Sequence, residues 1–381
     1  MKKILFVIPS LKVGGAELFL LRFCENLNSN YNLTVVVLGT KEGLANQFEK
    51  LPIRVIYLGF ERVTQFIPAI LKLRRTLIEI KPHLIETFLY YSDIVTSLAK
   101  VRLKIPLVWS IRGTSLAKQT KWHKIATQRL ASLFSKFSPD LIIACGETPR
   151  IFHESLGYPS DKIVVIGNFP ADFTKQIDNN SIFKVVDSPV SFTIGLAARY
   201  DLGKGHESLV HGVIKFLKGY IQVQEITISF AGKGCESEGR LERDLLSSKL
   251  VQEFLENRRL KFYFCGPLSE AQMIKWYESI DLYFMASDSL EGFPNSLAES
   301  LSAGIPSLST PVGEAKTFLS SFYLCDSAKS SEISKTLSRI YSQKATSIQS
   351  EFVRVKSSMQ LQYSKERVLA SYKGAWNELM E

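Results

Sequence analysis

The sequence predicts an α/β protein of two doubly wound, parallel-sheet domains, and three observations carry that expectation. Short β-branched runs alternate with longer amphipathic stretches from the first residues onward. A polar segment, 176–189, interrupts the alternation, after which the same pattern restarts. The chain has 381 residues, enough for two full hydrophobic cores. In the first half, strands are expected at Ile4–Pro9, Thr34–Leu38, Arg54–Leu58, Leu84–Phe88, Leu107–Ile111, Leu141–Cys145 and Ile163–Ile166. Strands spaced by helical stretches imply a parallel sheet with helices on both faces. The second set is expected at Ser191–Ala197, Glu225–Ala231, Lys261–Cys265, Leu282–Ala286 and Ser307–Thr310, and Ser331 to Glu381 reads as helices. The expected domains are 1–175 and 190–360, with 361–381 as a terminal helix.

Composition narrows the class. Hydrophobic content of 45% and charged content of 22% are ordinary for a soluble globular protein. No apolar run reaches the roughly 18–20 residues of a membrane span. The opening MKKILFVIPSLKVGGAE reads as a first strand and glycine turn, since its apolar run is short and no cleavage site follows. Cys24, Cys145, Cys235, Cys265 and Cys325 are scattered and form no CxxC pair, which points to a reducing compartment and buried thiols. The net charge of +10 lies in the first half: residues 1–175 hold 24 Lys+Arg against 13 Asp+Glu, and the remainder 23 against 24. Such a half can meet an anionic membrane surface, a phosphorylated acceptor or nucleic acid. No helix-turn-helix, zinc-finger or RNP-type aromatic motif supports nucleic acid.

The chemistry is concentrated in Glu291-Gly-Phe-Pro-Asn-Ser-Leu-Ala-Glu299, followed by Gly304-Ile-Pro306. Pro294 suits the first position of a helix, Gly304 a left-handed cap and Pro306 a stop. The amides of Asn295, Ser296 and Leu297 then form an anion site at a helix start, flanked by two carboxylates able to bind hydroxyls. A phosphate and hydroxyls side by side suggest a sugar nucleotide. Upstream, Gly195-Leu-Ala-Ala-Arg199-Tyr-Asp-Leu-Gly-Lys204-Gly205 sets a guanidinium fork and an ammonium on one strand-end loop, where both can meet one anion. Gly14-Gly15 lets the backbone approach a ligand closely and tolerates positive φ, without the GxGxxG dinucleotide fingerprint. His206 and His211 read as surface residues rather than ligands.

The stretch EGFPNSLAESLSAGIPSLSTPVG resembles the signature of glycosyltransferase family 4. That resemblance implies the GT-B fold: two Rossmann-like domains facing across a cleft, with the terminal helix crossing back to the first. It implies a retaining transferase in which Arg199 and Lys204 neutralise the diphosphate and Glu291 orients the transferred sugar as the catalytic carboxylate. Glu299 would bind ribose hydroxyls, with Asn295, Ser296, Leu297, Gly15, Gly266 and Leu268 completing the donor site. Gly14, Tyr91, Asp93 and Arg112 fall on the acceptor side. Tyr91 stands where many relatives have a histidine, so an imidazole's chemistry near pH 7 is lost there. No Asp-x-Asp and no HExxH is present, so no metal or other cofactor is expected.

The reading is a metal-independent hexosyltransferase. It uses a nucleotide-sugar donor, UDP being the commonest in the family, and a glycan or lipid-linked oligosaccharide acceptor in surface-polysaccharide (lipopolysaccharide or capsule) biosynthesis. Its expected place is cytoplasmic, peripheral to an anionic membrane surface. A sugar-nucleotide epimerase of similar fold and a non-catalytic glycan-binding partner subunit of transferase descent stay open. Sugar, linkage, acceptor and oligomeric state do not follow from these residues.

Overall fold

The computed structural model describes residues 1–27, 31–60, 65–113, 122–171, 190–288 and 291–381. It divides into two compact units, Met1–Phe169 with Lys365–Glu381, and Pro170–Ser364. The expected linker 176–189 lies outside the described residues.

The first unit runs β1 (Lys2–Ile8), α1 (Gly15–Asn26), β2 (Tyr31–Val37), α2 (Ala45–Phe48), β3 (Arg54–Tyr57) and α3 (Phe66–Ile80). It continues with β4 (Leu84–Phe88), α4 (Tyr90–Ala99), β5 (Leu107–Ile111), α5 (Trp122–Ser135), β6 (Leu141–Ala144), α6 (Glu147–Ser155) and β7 (Ile163–Val165). The second unit runs β8 (Ser191–Ala197), α7 (His206–Gly219), β9 (Glu225–Ala231), α8 (Arg240–Leu246), α9 (Lys249–Glu256), β10 (Leu260–Gly266) and α10 (Glu270–Glu278). Then come β11 (Leu282–Met285), α11 (Asn295–Ala303), β12 (Ser307–Ser309), α12 (Ala315–Phe318), α13 (Ser330–Tyr341) and α14 (Ala345–Gln362). The last helix, α15 (Lys365–Met380), returns to the first unit.

The first sheet has seven strands in the order β3-β2-β1-β4-β5-β6-β7 and the second five in the order β10-β9-β8-β11-β12. Every paired strand is parallel. Strand order reverses direction between β1 and β4 in one sheet and between β8 and β11 in the other. In open α/β sheets, ligands bind outside the carboxyl ends of the strands at such switch points.

Period two along β1 builds both cores of the first unit. Ile4, Phe6 and Ile8 face a cluster with Phe19 and Phe23 of α1 and Tyr372 and Trp376 of α15. Leu5 and Val7 face the other, with Leu73 and Leu77 of α3, Ile94 and Val95 of α4 and Ala131 of α5. The α15 rings are held by edge and tilted contacts: Phe23 to Tyr372 at 4.6 Å and Phe23 to Trp376 at 5.6 Å between centroids.

A polar network sits inside this aromatic layer. Glu86 of β4 is fully buried and accepts from Trp376 Nε1 at 2.9 Å and from the Ser110 hydroxyl. Arg112, two residues past Ser110, donates to Asn168 Oδ1 at 2.6 Å and to the Tyr372 hydroxyl at 2.5 Å, and its guanidinium lies 4.0 Å from the centre of the Phe19 ring. Burial lifts the Glu86 carboxyl from its ordinary value of 4.5 to about 7, against the opposing pull of the Ser110 hydrogen bond, Arg112 and Trp376.

Two outcomes follow. Trp376→Ala removes a buried indole and a donor to Glu86, and should lower the first unit's unfolding free energy by about 3–5 kcal/mol in urea titrations. The second unit's transition should not move. Because the folded pKa of Glu86 is raised, the native state keeps a proton that the unfolded chain releases. Its stabilising contribution is therefore complete at low pH and is lost as pH rises through about 7. Glu86→Gln should gain on wild type between about pH 5 and about pH 8, and a gap independent of pH would refute the raised value.

Candidate active site

The switch point of the second sheet brings together the two loops that carry the expected site. One leaves β8 at Ala197 and enters α7 through Gly205; the other leaves β11 and reaches Glu291. Gly205 has φ +72°, and a Cβ there would lie 1.9 Å from the Ala286 carbonyl oxygen, so only glycine lets the loops touch. The Asp288 amide donates to the Gly203 carbonyl at 2.9 Å. This closeness puts Lys204 Nζ 2.5 Å from Glu291 Oε1, with the two side chains 19% and 15% exposed. Ser287 Oγ donates to the same carboxylate oxygen at 2.9 Å, and its own carbonyl accepts from the Thr310 hydroxyl. Gly313, at φ +55°, backs the Glu291 loop: a Cβ there would lie 2.6 Å from Gly292 O. Arg199 is exposed and pairs with Asp201 at 3.5 Å. The two cations expected to share one anion thus each hold a different carboxylate in this structure.

Helix α11 starts one residue later than its proline suggested. Pro294 is the N-cap, with φ −77° and ψ 85°, and Asn295 is the first helical residue. Gly304 ends the helix at φ +82°. The first helical turn presents amides that the helix itself does not satisfy, those of Asn295, Ser296 and Leu297. Two tyrosines fix that turn, and neither stood out in the sequence. Tyr283 of β11 donates to Ser296 Oγ at 2.7 Å; the Tyr277 hydroxyl of α10 lies 3.1 Å from the Ser296 carbonyl and 3.3 Å from Glu299 Oε2. Burial pushes the Tyr283 hydroxyl well up, so it remains a donor at neutral pH. No local signal marked Tyr283, since all four residues of β11 are buried and none alternates with a polar one.

The neighbouring strand ends are laced together. Gly266, at φ +63°, accepts from the Gly232 amide at 2.7 Å and donates to the Cys235 carbonyl at 2.9 Å. Leu268 is half-buried in the turn before α10. His206 is not a surface residue: it is 1% exposed, with Nε2 3.3 Å from the Ala198 carbonyl and 3.6 Å from Cys235 Sγ. Burial lowers it to about 4, which keeps it a neutral prop beneath the Arg199 loop. His211 is exposed.

The first unit's candidates divide. Gly14 caps α1 in extended backbone, φ −163°, so positive φ is not why glycine stands there. A Cβ would lie 2.6 Å from Glu17 Oε2, the mobile end of a long side chain, so neither backbone strain nor a fixed contact demands glycine at this position. Gly15 opens the helix and is exposed. Leu89, at φ +72° and ψ 144°, turns the chain from β4 into α4 in a conformation costly for any residue but glycine. Tyr91 follows, half-buried, 6.1 Å from the Phe66 ring. Asp93 is interior, 3% exposed, and accepts from Thr87 Oγ1 at 2.5 Å. Burial holds its carboxyl well above the carboxylate range. Arg112 likewise turns inward, to Asn168 and Tyr372. Asp93 and Arg112, both expected on the acceptor side, find internal partners within the first unit. Tyr90, unmarked in the sequence as a site residue, bonds buried His153 Nε2 at 2.7 Å.

Among the described residues no group of three or more His, Cys, Asp or Glu is arranged to hold a metal ion.

Comparison with known proteins bears on the family and the fold. Residues 13–169 match the model described as Glycosyltransferase Family 4, and residues 191–343 that described as Glycosyl transferases group 1. No curated protein matches the chain in sequence. HepE of Anabaena, solved in complex with UDP, superposes with a TM-score of 0.80 at 18% identity over 99% of this chain and 100% of its own. Its complex with UDP-glucose gives 0.77 at 19% identity over the same shares. The lipopolysaccharide outer core galactosyltransferase WaaB, in its apo form, gives 0.69 at 15% identity over 98% of both chains. The two parallel-sheet units have the fold of GT-B glycosyltransferases. With both halves matched in order, the chain belongs to glycosyltransferase family 4.

Proposed function

We propose that this glycosyltransferase moves a hexose from a UDP-sugar to a glycan or lipid-linked oligosaccharide acceptor, with retention of configuration and without a metal. The acceptor class places it in surface-polysaccharide synthesis, lipopolysaccharide or capsule, at the cytoplasmic face of a membrane. The observation that carries the reading is the Lys204–Glu291 pair, held at the switch point immediately before the start of α11. HepE is described with UDP and with UDP-glucose, and WaaB as a galactosyltransferase, which supports the donor class.

In this reading the pair is a placeholder for the donor. When a nucleotide sugar arrives, Lys204 turns to the diphosphate and Glu291 to the hydroxyls of the sugar. Arg199, exposed on the same loop, adds its fork to the phosphate oxygens, and the amides of Asn295 to Leu297 meet the remaining negative charge. Glu299 accepts from the ribose, and Gly266 and Leu268 flank the base through backbone. Gly15 borders the donor phosphates; Gly14 and Tyr91 border the acceptor. As the bond from the anomeric carbon to the phosphate oxygen breaks, charge grows on the leaving group where these donors are already oriented. The acceptor hydroxyl attacks from the same face, and its proton passes to the departing phosphate oxygen. No protein base is required, and Arg199 and Lys204 supply the positive charge that a metal would otherwise provide.

Calorimetric titration of UDP, GDP and ADP in EDTA tests this. UDP should bind wild type without metal, and Arg199→Ala should weaken it by about ten-fold or more. Absence of binding by any nucleotide to the folded protein would instead favour a non-catalytic partner subunit. Glu291→Ala should slow sugar transfer by about 100-fold or more while UDP binding holds or tightens, because Lys204 is released to the phosphates. Equal loss of transfer and binding would overturn the separation of roles.

A further inference from the structure

Helices α3 and α5 flank α4 on one face of the first sheet and share its core cluster. Helix α4 is enclosed, with Ser92 to Ser97 all buried, and the outer surfaces of its neighbours are apolar where solvent-facing helices are ordinarily polar. On α3, Ile67, Leu71 and Ile78 are 68%, 54% and 50% exposed. Their spacing puts them on one stripe with Arg75. On α5 and in the turn that follows it, Leu130, Leu133 and Phe137 are 40%, 59% and 70% exposed, accompanied by exposed Arg129 and Lys136. Arg74 donates to the carbonyls of Ala99 and Val101 at 2.9 and 2.7 Å, which draws the turn after α4 against α3. That turn adds Val101, 52% exposed, and the exposed Arg102 and Lys104, while Lys100 is turned in and paired with Asp140 at 3.6 Å.

The charge is one-sided. Residues 122–138 contain no acidic side chain. The exposed carboxylate on α3, Glu79, is paired with Arg54 at 3.1 Å. Among the described residues no helix is long and apolar enough to cross a membrane. Apolar side chains rising from a field of lysine and arginine fit a negatively charged surface with an apolar layer beneath it. A second copy would bring the same positive charge to the contact. We infer that the outer faces of α3 and α5 form a docking surface for an anionic bilayer, with Leu71, Leu133 and Phe137 entering the headgroup layer and Arg75, Arg129 and Lys136 meeting acidic lipid. This surface deepens the proposed function, since it would bring the enzyme to lipid-linked acceptors, but the docking itself depends only on the first unit.

Flotation of the full chain with vesicles tests it, using phosphatidylcholine alone and phosphatidylcholine with about 30% phosphatidylglycerol. Wild type should float with the acidic vesicles at about 50 mM salt, and should be released at about 500 mM. It should not float with the neutral ones. The double variant Arg129→Gln/Lys136→Gln should lower partitioning by about 25-fold, and Leu133→Ser/Phe137→Ser by about ten-fold or more. An unchanged urea-unfolding transition of the first unit in each variant reports that the unit carrying the surface is folded. Retention of flotation by both variants, equal flotation with neutral vesicles, or no flotation of a wild type that still binds UDP would overturn the docking surface, and the last would leave the transferase reading standing. Sedimentation showing self-association that Phe137→Ser abolishes, without flotation, would assign the face to a second copy instead. Flotation by a protein that binds no nucleotide would keep the surface and remove the transferase reading.

Discussion

The carboxyl of Glu86 is the point at which the two ends of the chain are joined. It lies in the middle of the first sheet, takes a hydrogen bond from Trp376, and shares Ser110 with Arg112. A lone buried carboxyl would be strongly unfavourable; here the donors around it offset the loss of water. The same arrangement dictates the position of α15. Its aromatic residues complete, with Phe19 and Phe23 of α1, the cover over the face of the sheet formed by Ile4, Phe6 and Ile8. Arg112 extends the constraint to both places where the chain passes between units. It bonds Asn168, next to the crossing at Phe169–Pro170, and Tyr372, within the helix that follows the return at Ser364–Lys365.

In the second unit, function and packing meet at the reversal of strand order. The carboxyl ends of β8 and β11 are adjacent, so their loops must pass one another closely. Gly205 and Gly313 give that clearance, and both have backbone angles that only glycine adopts at little cost. The pairing of Lys204 with Glu291 is the outcome: two side chains 87 positions apart in sequence meet because the loops that carry them touch. The tyrosines under α11 perform the complementary task of holding its first turn at the sheet's edge.

Much of this was legible in the sequence. Short runs rich in aliphatic, β-branched and aromatic residues read as strands, so β4 at Leu84–Phe88 and β5 at Leu107–Ile111 stand where they were expected. Boundaries slipped where polar residues begin a strand, as with Lys2 in β1 and Tyr31 in β2. The terminal helix begins at Lys365 because α14 runs on to Gln362. Local signals of helix capping and glycine turns also located the loops at the switch point. What escaped was long-range. The Trp376–Glu86 bond spans 290 positions, and nothing local marks Glu86, Arg112, Asp93 or His206 as interior. A charged or titratable residue on a strand end reads as a ligand contact until its partner is known. Tyr277 and Tyr283 escaped for the same reason, since their roles exist only once α11 lies over them.

The return of α15 also orders the chain in time. The second unit is one continuous segment, Pro170–Ser364, whereas the first needs Lys365–Glu381 to close over its sheet. During synthesis the residues encoded first therefore wait for the residues encoded last. The unit made second can reach its native fold first, although nascent domains ordinarily fold in the order in which they are made. Until Trp376 is made and released from the ribosome's exit tunnel, the face of the first sheet under α15 lacks that part of its native cover, with only α1 over it. In a cell that interval is when chaperones would be needed, and it lengthens with every residue of the second unit.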